Sequence, residues 1–481
     1  MCNLVLVALV TTACGAGNPK AIHLEAEDAE LVGVSRVIPS EPATRSTTRP
    51  IRRGYAGTGY VTDFFDDGDR VTFRVPEVSA GLYELHIRYA ATSKKGFEVD
   101  VNGRKYSGMF PRSEGETFAT HAAGRIELAD GINRIAIEKG WGHYDIDGID
   151  LVATSCPSPP AKPPKSIADA NSTPEARALF ERLIDQYSAG VLSGVYSASD
   201  GEYVTQRTGV TPAILGGDLM DYSPSRIAHG ADPKQTVEEL IAQAQSTGAI
   251  ITLSWHWNAP KDLLDRMITD DRGREVNARW YKGFNSNATT FDVAKAMSDP
   301  ASEEQRLLVA DIDAIAVQLR KLSDAHVPVL WRPLHEAEGQ WFWWGAKGPE
   351  PFKQLWRMLF DRLTNHHQLH NLIWVYTGGP ERNWYPGDEV VDVVGVDSYP
   401  TDTSDPLSGL WDDVLRQYSG RKLLALTEFG GVPDIDRMRR HGVYWAYFVS
   451  WTGRMGPHTM SDEDLKRIYT SPLVTNRATK R

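Results

Sequence analysis

Cysteine is scarce in this 481-residue sequence, which has three: Cys2, Cys14 and Cys156. With a single cysteine beyond the first 14 residues, no disulfide framework holds the fold together, so its stability has to come from packing. Basic tracts are also lacking, and the formal net charge is -11. A chain of this charge is unsuited to neutralising a phosphate backbone, which argues against nucleic acid and favours neutral or weakly charged partners.

The N-terminal apolar run, residues 4–10, is too short to span a bilayer and is followed by small residues around Cys14. This order is typical of a bacterial export signal, which predicts a signal over residues 1–18 with a lipid anchor at Cys14. The positive residues expected before the run are missing, so simple secretion and a misassigned start codon stay open. We expect a protein that is secreted, periplasmic or on the outer surface, without a transmembrane span.

Two folded units are expected, because 481 residues with 41% hydrophobic composition exceed what one core usually serves. The first, residues 20–154, shows the period-two alternation of β-strands. Tyr83, Leu85 and Ile87 alternate with polar neighbours, and the next such run ends in an Asn102-Gly103 turn. We predict an all-β antiparallel sandwich, jelly-roll-like in type.

A proline-rich segment, residues 155–168, follows; its prolines favour extended geometry and predict a semi-rigid linker. Over residues 169–476, apolar strand-like runs alternate with amphipathic helices. The eight runs are VLSGVY (191–196), AILGGD (213–218), AIITLSWHW (249–257), VPVLWRPLHE (327–336), LIWVYTGG (372–379), VDVVGVDSY (391–399), KLLALTEFG (422–430) and YWAYFVSW (444–451). This order predicts an α/β fold, a (β/α)8 TIM barrel whose active site lies at the carboxyl ends of its strands.

Ionisable and aromatic residues collect where these runs end: His256, His335, Glu336, Tyr399, Glu428 and Trp451. Hydrolysis of a glycosidic bond needs one carboxyl group to protonate the leaving oxygen and a second to attack the sugar or activate water. Glu336 and Glu428 supply such a pair, because the fourth and seventh strands lie on opposite sides of a barrel mouth. A single glutamate at a strand end is more often solvated or salt-bridged, and only the shared context favours catalysis.

Three further features have alternative interpretations. Arg332 either orients the carboxylates or forms a structural ion pair inside the barrel. In the tract WFWW (341–344), Trp341 is expected to stack on sugar and most of the others to join the core. His256 is expected to bond a sugar hydroxyl rather than a metal, since no HExxH or similar ligand spacing surrounds it.

Four segments resemble glycoside hydrolase family 26: WRPLHEAEGQWFWWG (331–345), SWHW (254–257), GVDSY (395–399) and LTEFG (426–430). The resemblance covers roughly residues 170–475 and implies a retaining β-mannanase on a (β/α)8 barrel. It implies that Glu336 is the general acid/base and Glu428 the nucleophile. The substrate-binding positions that it implies are His256, His335, Trp341, Tyr399 and Trp451.

The mechanism that this resemblance implies has two steps. Glu428 attacks the anomeric carbon while protonated Glu336 gives its proton to the departing sugar, and Glu336 then deprotonates the water that releases the glycosyl-enzyme. The pKa of Glu336 has to be raised for this role. Tyr399 is expected to hold Glu428 by a hydrogen bond.

The first unit resembles carbohydrate-binding modules of family 35 through LEAEDAELVG (24–33), GYVTDF (59–64) and WGHYDIDGIDLV (141–152). Such modules usually hold a structural calcium, which implies Glu25, Glu27 and Asp150 as its ligands. The alternative is that these acids only line a sheet edge. Trp141 is expected to contact sugar.

We therefore predict an endo-acting β-1,4-mannanase that works on mannan, glucomannan and galactomannan as a monomer, needs no cofactor for catalysis and is kept on polysaccharide by its front module. Because the family also includes xylan- and mixed-linkage-glucan-acting members, those substrates and exo-action that releases mannobiose stay open. A rival of another class is a non-catalytic glycan-binding surface lipoprotein, which would lack one of the two glutamates.

Overall fold

The computed structural model describes residues 21–40, 51–114, 117–269 and 273–477. The predicted export signal and Cys14 lie outside these ranges. The chain divides into two compact units, with the main boundary between Cys156 and Pro157 and with Lys105–Ser107 assigned to the second unit. Within the described ranges, no helix combines the length and the apolar character that crossing a membrane requires.

The first unit is the predicted antiparallel sandwich. Its strands are β1 (Ile22–Glu25), β2 (Glu30–Val32), β3 (Ser35–Val37), β4 (Tyr60–Thr62), β5 (Arg70–Val78), β6 (Gly81–Ala90), β7 (Lys95–Val101), β8 (Arg104–Phe110), β9 (Ala119–Leu128), β10 (Gly131–Lys139) and β11 (Asp145–Thr154). One sheet has the order β3-β4-β11-β6-β9 with β1 added to β11, and the other has the order β2-β5-β10-β7-β8. The alternation that predicted β6 is a burial pattern: Leu85 and Ile87 are buried, whereas their neighbours on the strand are partly exposed.

The second unit is built on the predicted barrel, whose eight parallel strands close on themselves. The barrel strands coincide with the eight apolar runs. The strands of this unit are β12 (Val191–Leu192), β13 (Gly194–Val195), β14 (Ile214–Asp218), β15 (Ile250–Trp255), β16 (Met267–Thr269), β17 (Glu275–Asn277), β18 (Val329–Pro333), β19 (Leu372–Thr377), β20 (Val393–Ser398), β21 (Leu423–Phe429), β22 (Phe448–Ser450) and β23 (Val474–Thr475). The barrel takes β13, β14, β15, β18, β19, β20, β21 and β22 in that order. Every residue of β15, β19 and β21 is buried, as expected for strands covered on both faces.

Helices surround the barrel. They are α1 (Pro174–Gln186), α2 (Ala198–Thr208), α3 (Pro224–Ala228), α4 (Thr236–Thr247), α5 (Ala278–Tyr281), α6 (Val293–Ser298), α7 (Glu303–Asp324), α8 (Pro349–Asp361), α9 (Ser408–Tyr418), α10 (Ile435–Arg440) and α11 (Asp462–Tyr469). The longest, α7, begins at a Ser302 cap and buries Leu308, Ile312, Ile315 and Leu319 along one face, which is the face that their spacing predicts.

Two connections at the carboxyl end of the barrel lie beside the site. The connection after β15 carries the β16–β17 hairpin, and its later part pairs with the segment that follows β18: Ser286 N–H donates to the Trp341 carbonyl at 2.7 Å. The segment after β18 contains three non-glycine residues in the left-handed region, Leu334 (φ 52°), Glu336 (φ 54°) and Gln340 (φ 60°). This part of the barrel mouth is therefore strained and held by its neighbours.

Candidate active site

Three carboxylates converge at the carboxyl ends of β18, β20 and β21. Glu336, Asp397 and Glu428 each offer an oxygen, and these oxygens all lie within 4.8 Å of one another. The two glutamates, 92 residues apart in the sequence, are brought together by barrel closure. A separation of about 5 Å between carboxyl groups is the spacing of retaining glycosidases, whereas inverting enzymes keep roughly 6.5–9.5 Å for a water.

Arg332 of β18 supplies the positive charge of this cluster. Its side chain is 1% exposed, and its guanidinium donates to Asp397 at 2.6 Å and to Glu428. The third donor, Nε, reaches the Tyr196 hydroxyl at 2.7 Å. Both interpretations of Arg332 therefore hold: it orients the Glu428 carboxylate and it forms a buried ion pair across the barrel.

Glu428 is placed as a carboxylate that is held from two sides. It is buried, it accepts a hydrogen bond from Arg332, and it accepts a second from the Tyr399 hydroxyl, the bond that the sequence predicted. Burial raises its pKa, and the Arg332 charge opposes that rise. The two donors orient one oxygen each, which leaves the carboxylate fixed in position.

Glu336 is held by one hydrogen bond from its backbone and one to its side chain. It follows β18 in a left-handed turn, its backbone N–H donates to the Thr377 carbonyl at 3.2 Å, and its Oε2 accepts from Trp341 Nε1 at 2.9 Å. Burial raises the pKa of Glu336 to about 8, and the nearby charge of Asp397 contributes to the rise. Arg332 donates directly to Glu428 and Asp397, whereas the side chain of Glu336 accepts from the neutral indole of Trp341, so the contacts favour the negative charge on Glu428 over Glu336.

Exposed aromatic rings lie beside these glutamates. Trp341 is 49% exposed and Tyr399 is 41% exposed. The rest of the aromatic tract, Phe342, Trp343 and Trp344, is buried, as predicted. Trp451 follows β22, is partly buried and has its ring centroid 4.7 Å from that of Tyr196.

Two histidines and an aspartate form a second polar row in the site. His256 donates through Nδ1 to Asp218, and its Nε2 lies 3.2 Å from Nε2 of His335. Both ring nitrogens of His256 are therefore engaged by protein, so the predicted bond to a sugar hydroxyl has no free nitrogen in this arrangement. Burial lowers the pKa of His335 well below its usual value.

Sequence reasoning did not single out Tyr196, Asp218 or Asp397. Each closes, or nearly closes, one of the eight apolar runs, which is the same signal that pointed to Glu336 and Glu428. A rule that took every polar strand end as a site candidate would have found all three.

Two groups of side chains among the described residues have the spacing of metal ligands. The first is the carboxylate cluster, where Arg332 already neutralises Asp397 and Glu428. The second is Asp313 with His366 and His367, on which Arg362 donates to both oxygens of Asp313. A bound guanidinium occupies the place of a cation in each case.

The predicted metal ligands of the sandwich unit do not all come together. Glu25 and Glu27 meet at Gly57, where an added Cβ would lie 2.8 Å and 2.6 Å from their oxygens. Asp150 accepts from His23 Nδ1 at 2.8 Å, and Nε2 of the same ring lies 3.1 Å from Glu25, so His23 lies between Asp150 and Glu25 and the three acids do not form a group with metal-ligand spacing. Trp141 is 54% exposed, and its ring lies against the backbone of Gly96.

The sequence matches two family descriptions. Glycosyl hydrolase family 26 matches residues 168–479, and the carbohydrate binding module of family 35 matches residues 40–154. A mannan endo-1,4-beta-mannosidase of Thermothelomyces thermophilus is 41% identical over 471 residues, which cover 96% of this chain and 92% of that protein.

Solved structures of mannanases are similar to this chain as well. A GH26-CBM35 β-(1,4)-mannanase of Podospora anserina superposes with a TM-score of 0.65 at 38% identity, covering 95% of this chain and 97% of that one. A β-mannanase from a symbiotic protist of the termite Reticulitermes speratus, solved with a gluco-manno-oligosaccharide, has a TM-score of 0.56 at 29% identity, covering 66% of this chain and 97% of that one.

Proposed function

The chain belongs to glycosyl hydrolase family 26 and is an endo-acting β-1,4-mannanase, and we propose that it cleaves mannan by a retaining double displacement with Glu428 as nucleophile and Glu336 as acid/base. The observation that carries the proposal is the approach of a Glu336 oxygen to within 4.8 Å of a Glu428 oxygen. Attack and protonation then take place on one sugar with no room for an intervening water.

In the first step, Glu428 attacks the anomeric carbon and forms a glycosyl-enzyme, while the proton of Glu336 passes to the departing sugar oxygen. Two donors, Arg332 and Tyr399, keep Glu428 ionised and aimed. Glu336 holds the proton because burial raises its pKa, while the direct contact with Arg332 favours the charged form of Glu428.

In the second step, water gives its proton to Glu336 and attacks the same carbon, which releases Glu428. While Glu428 is esterified it carries no charge. The pKa of Glu336 is then lower than in the free enzyme, and Glu336 can act as a base. Trp341 donates to Glu336 at 2.9 Å and steadies its carboxylate in that step.

Sugar contacts come from the aromatic rings of the barrel mouth. Trp341 and Tyr399 present exposed faces next to the two glutamates, and Trp451 adds a partly buried ring after β22. His256 and His335 bind each other through their Nε2 atoms and act as a wall of the site. Indole faces stack on the apolar side of a pyranose, which supports a polysaccharide substrate.

The test is a time course of products from galactomannan, glucomannan, xylan and mixed-linkage glucan. We expect a ladder of manno-oligosaccharides that is lost in Glu336→Ala and Glu428→Ala and kept in Glu350→Ala, a surface carboxylate on α8. Azide separates the two roles, since it should give an α-azide product with Glu428→Ala and a β-azide product with Glu336→Ala. Mannobiose alone would indicate exo-action, and release from xylan or glucan alone would overturn the substrate.

The sandwich unit is proposed to bind polysaccharide through Trp141 and to hold a calcium through Glu25 and Glu27. Each glutamate keeps one buried oxygen, Oε2, that finds no hydrogen-bond partner among the described residues. Orphaned carboxylate oxygens are ligands that Ca²⁺ accepts, so the residues fit the ion. The cation would neutralise the buried Glu27 and the partly buried Glu25 and tie β1 to the segment that contains Gly57.

Calcium binding is measurable as a shift in the thermal unfolding of the full chain. Added Ca²⁺ should raise the unfolding temperature of the sandwich and EDTA should lower it, and Glu27→Gln should abolish both responses. Asp150→Asn should keep them, because Asp150 is bonded to His23. A response that disappears in Asp150→Asn would return Asp150 to the ligand set.

Mannan is a polymer found outside cells, so the enzyme is proposed to be exported, with a lipid anchor at Cys14, and to act as a monomer. We also propose the domain boundaries: a sandwich module over residues 20–154, a linker over 155–168 and a catalytic barrel over 169–476. Palmitate labelling of the wild type and of Cys14→Ser tests the lipid anchor. Size-exclusion chromatography tests the monomeric state.

A further inference from the structure

A row of three side chains crosses three adjacent barrel strands next to the acid/base. Asp218 ends β14, His256 follows β15, and His335 follows β18 and immediately precedes Glu336. The Asp218 carboxylate accepts from His256 Nδ1, and His256 Nε2 contacts His335 Nε2 at 3.2 Å. The two histidines thus share one hydrogen bond between identical atoms, and one of them has to be the donor.

The two oxygens of Asp218 have different donors, which fixes the orientation of the group. Oδ1 accepts from two backbone N–H groups, those of Met220 at 2.7 Å and His256 at 3.1 Å. Oδ2 accepts from the Ser254 hydroxyl at 2.9 Å and from His256 Nδ1. Burial pushes the pKa of Asp218 upward, but the contacts and hydrogen bonds that it receives from His256 and Ser254 outweigh burial and hold the pKa at about 2. An ionised carboxylate only accepts, so His256 carries a proton on Nδ1.

The surroundings of His335 determine which of the two histidines donates the hydrogen bond between their Nε2 atoms. It is 1% exposed, and its Nδ1 finds no hydrogen-bond partner among the described residues. If His335 donated nothing through Nε2, its proton would sit on Nδ1 as a buried donor with no acceptor. Leaving Nδ1 of the buried His335 ring unprotonated, as an acceptor without a donor, costs less than leaving an N–H there without an acceptor. His335 therefore donates from Nε2 to a bare Nε2 of His256.

We propose that Asp218 is a positioning residue for the reaction: through His256 it fixes the tautomer and the ring orientation of His335, the residue that precedes the acid/base. This inference rests on the proposed function of Glu336. The His335 ring packs against Phe342, with centroids 5.1 Å apart, and the His335 carbonyl accepts from Trp344 Nε1 at 2.9 Å. A turned or charged His335 disturbs the strained turn that aims Glu336, because Glu336 itself is in the left-handed region.

Asp218→Asn reverses the donor and acceptor roles along the hydrogen bonds of Asp218, His256 and His335, and the side chain keeps its shape. The two backbone N–H groups keep the amide oxygen at the Oδ1 position, so the amide NH2 faces His256 Nδ1 and donates to it. His256 then has to carry its proton on Nε2, which opposes the Nε2–H of His335. We expect kcat on manno-oligosaccharides to fall about tenfold or more, as for other misplaced catalytic groups. The matched control is Ser254→Ala, which removes the other Oδ2 donor but leaves the polarity intact and should keep kcat within about threefold of wild type.

The deciding readout is the tautomer, which a merely structural role of Asp218 would not change. Ring ¹⁵N spectra of the full-length enzyme contain signals from 13 histidines, and His256→Gln and His335→Gln variants identify the two that matter. Wild type should show His256 protonated on Nδ1 and His335 on Nε2, and Asp218→Asn should reverse His256. A wild-type His256 protonated on Nε2 overturns the proposal, whether or not the variant folds. So does a variant that reverses the tautomer and keeps its kcat, or one that loses kcat with the tautomer unchanged. Because the spectra need no turnover, failure of the proposed function appears separately, in the product assay.

Discussion

At the residue scale, the hydroxyl of Tyr399 acts on the ionisation of Glu428. It donates to the Glu428 carboxylate, and this bond lowers the pKa of Glu428 against the effect of burial. Tyr399→Phe should therefore raise that pKa. Since Glu428, as the proposed nucleophile, works only when ionised, the acidic limb of the kcat/KM profile should move to higher pH, and kcat should fall about tenfold or more. The pH–rate profile of the variant on a soluble manno-oligosaccharide checks both expectations.

Tyr376→Phe is the matched control for this prediction. Tyr376 lies on β19, is fully buried, and its hydroxyl finds no hydrogen-bond partner among the described residues. Its removal should leave the profile unchanged. An acidic limb that stays in place in Tyr399→Phe would show that the hydrogen bond orients the nucleophile without setting its ionisation.

The sequence allowed prediction of some site residues and not of others for a physical reason. Glu336 and Glu428 were predictable because carboxylates at the ends of apolar strands share the mouth of a barrel. Asp397 stands near a strand end in the same way, but its partner was not predictable, because Arg332 is 65 residues away and an aspartate at a strand end looks the same whether it is solvated or ion-paired. Such long-range pairings become visible only when the barrel closes.

At the element scale, the segment after β18 combines strain with anchoring. Gln340 has φ 60° and ends the short turn Ala337–Gly339, and a non-glycine residue in this region costs about 1–2 kcal/mol. Gln340→Gly should thus raise the free energy of unfolding of the barrel by up to about 1 kcal/mol after the entropy of glycine is subtracted. Chemical denaturation of the full chain, followed through the barrel transition, measures the change.

Gln340→Ala is the control, because alanine removes the same side chain and keeps the unfavourable φ. It should give no stabilisation. The Ser286 hydroxyl donates to the Gln340 carbonyl at 3.0 Å, so the backbone position of Gln340 should survive both substitutions. Equal stability of the two variants would mean that the turn stores no strain at Gln340.

Elements were predictable wherever burial imposed a pattern. All eight barrel strands and the apolar face of α7 follow from apolar runs and spacing. The β16–β17 hairpin did not follow, because its strands lie in a connection and, at three residues each, are too short to show an alternation of period two. Yet this connection supplies Ser286, which pairs with the Trp341 segment, so part of the site depends on a feature that periodicity does not report.

At the scale of the whole molecule, a family 26 barrel and a sandwich that matches a carbohydrate binding module are joined in one chain. Linking a binding module to an enzyme raises the concentration of substrate at the active site without altering the chemical step. The two activities should therefore separate in mutants. A change in the sandwich should affect attachment to solid mannan and leave cleavage of small soluble substrates intact.

Trp141→Ala is the substitution that tests this separation. Trp141 is 54% exposed, and its ring rests on Gly96, where even a Cβ would lie 2.4 Å from it, so the indole forms a fixed platform. Loss of one stacked sugar ring should weaken binding to insoluble mannan about tenfold, which corresponds to about 1.4 kcal/mol. Ile132→Ala removes an equally exposed apolar side chain from β10 of the same unit, 56% exposed, and should leave binding unchanged.

Depletion isotherms on insoluble mannan give the binding constants, and kcat on soluble manno-oligosaccharides should stay at the wild-type value in both variants. A Trp141→Ala variant that binds as tightly as wild type would move the sugar-binding surface of the sandwich elsewhere, while a matching loss in Ile132→Ala would indicate non-specific apolar adsorption.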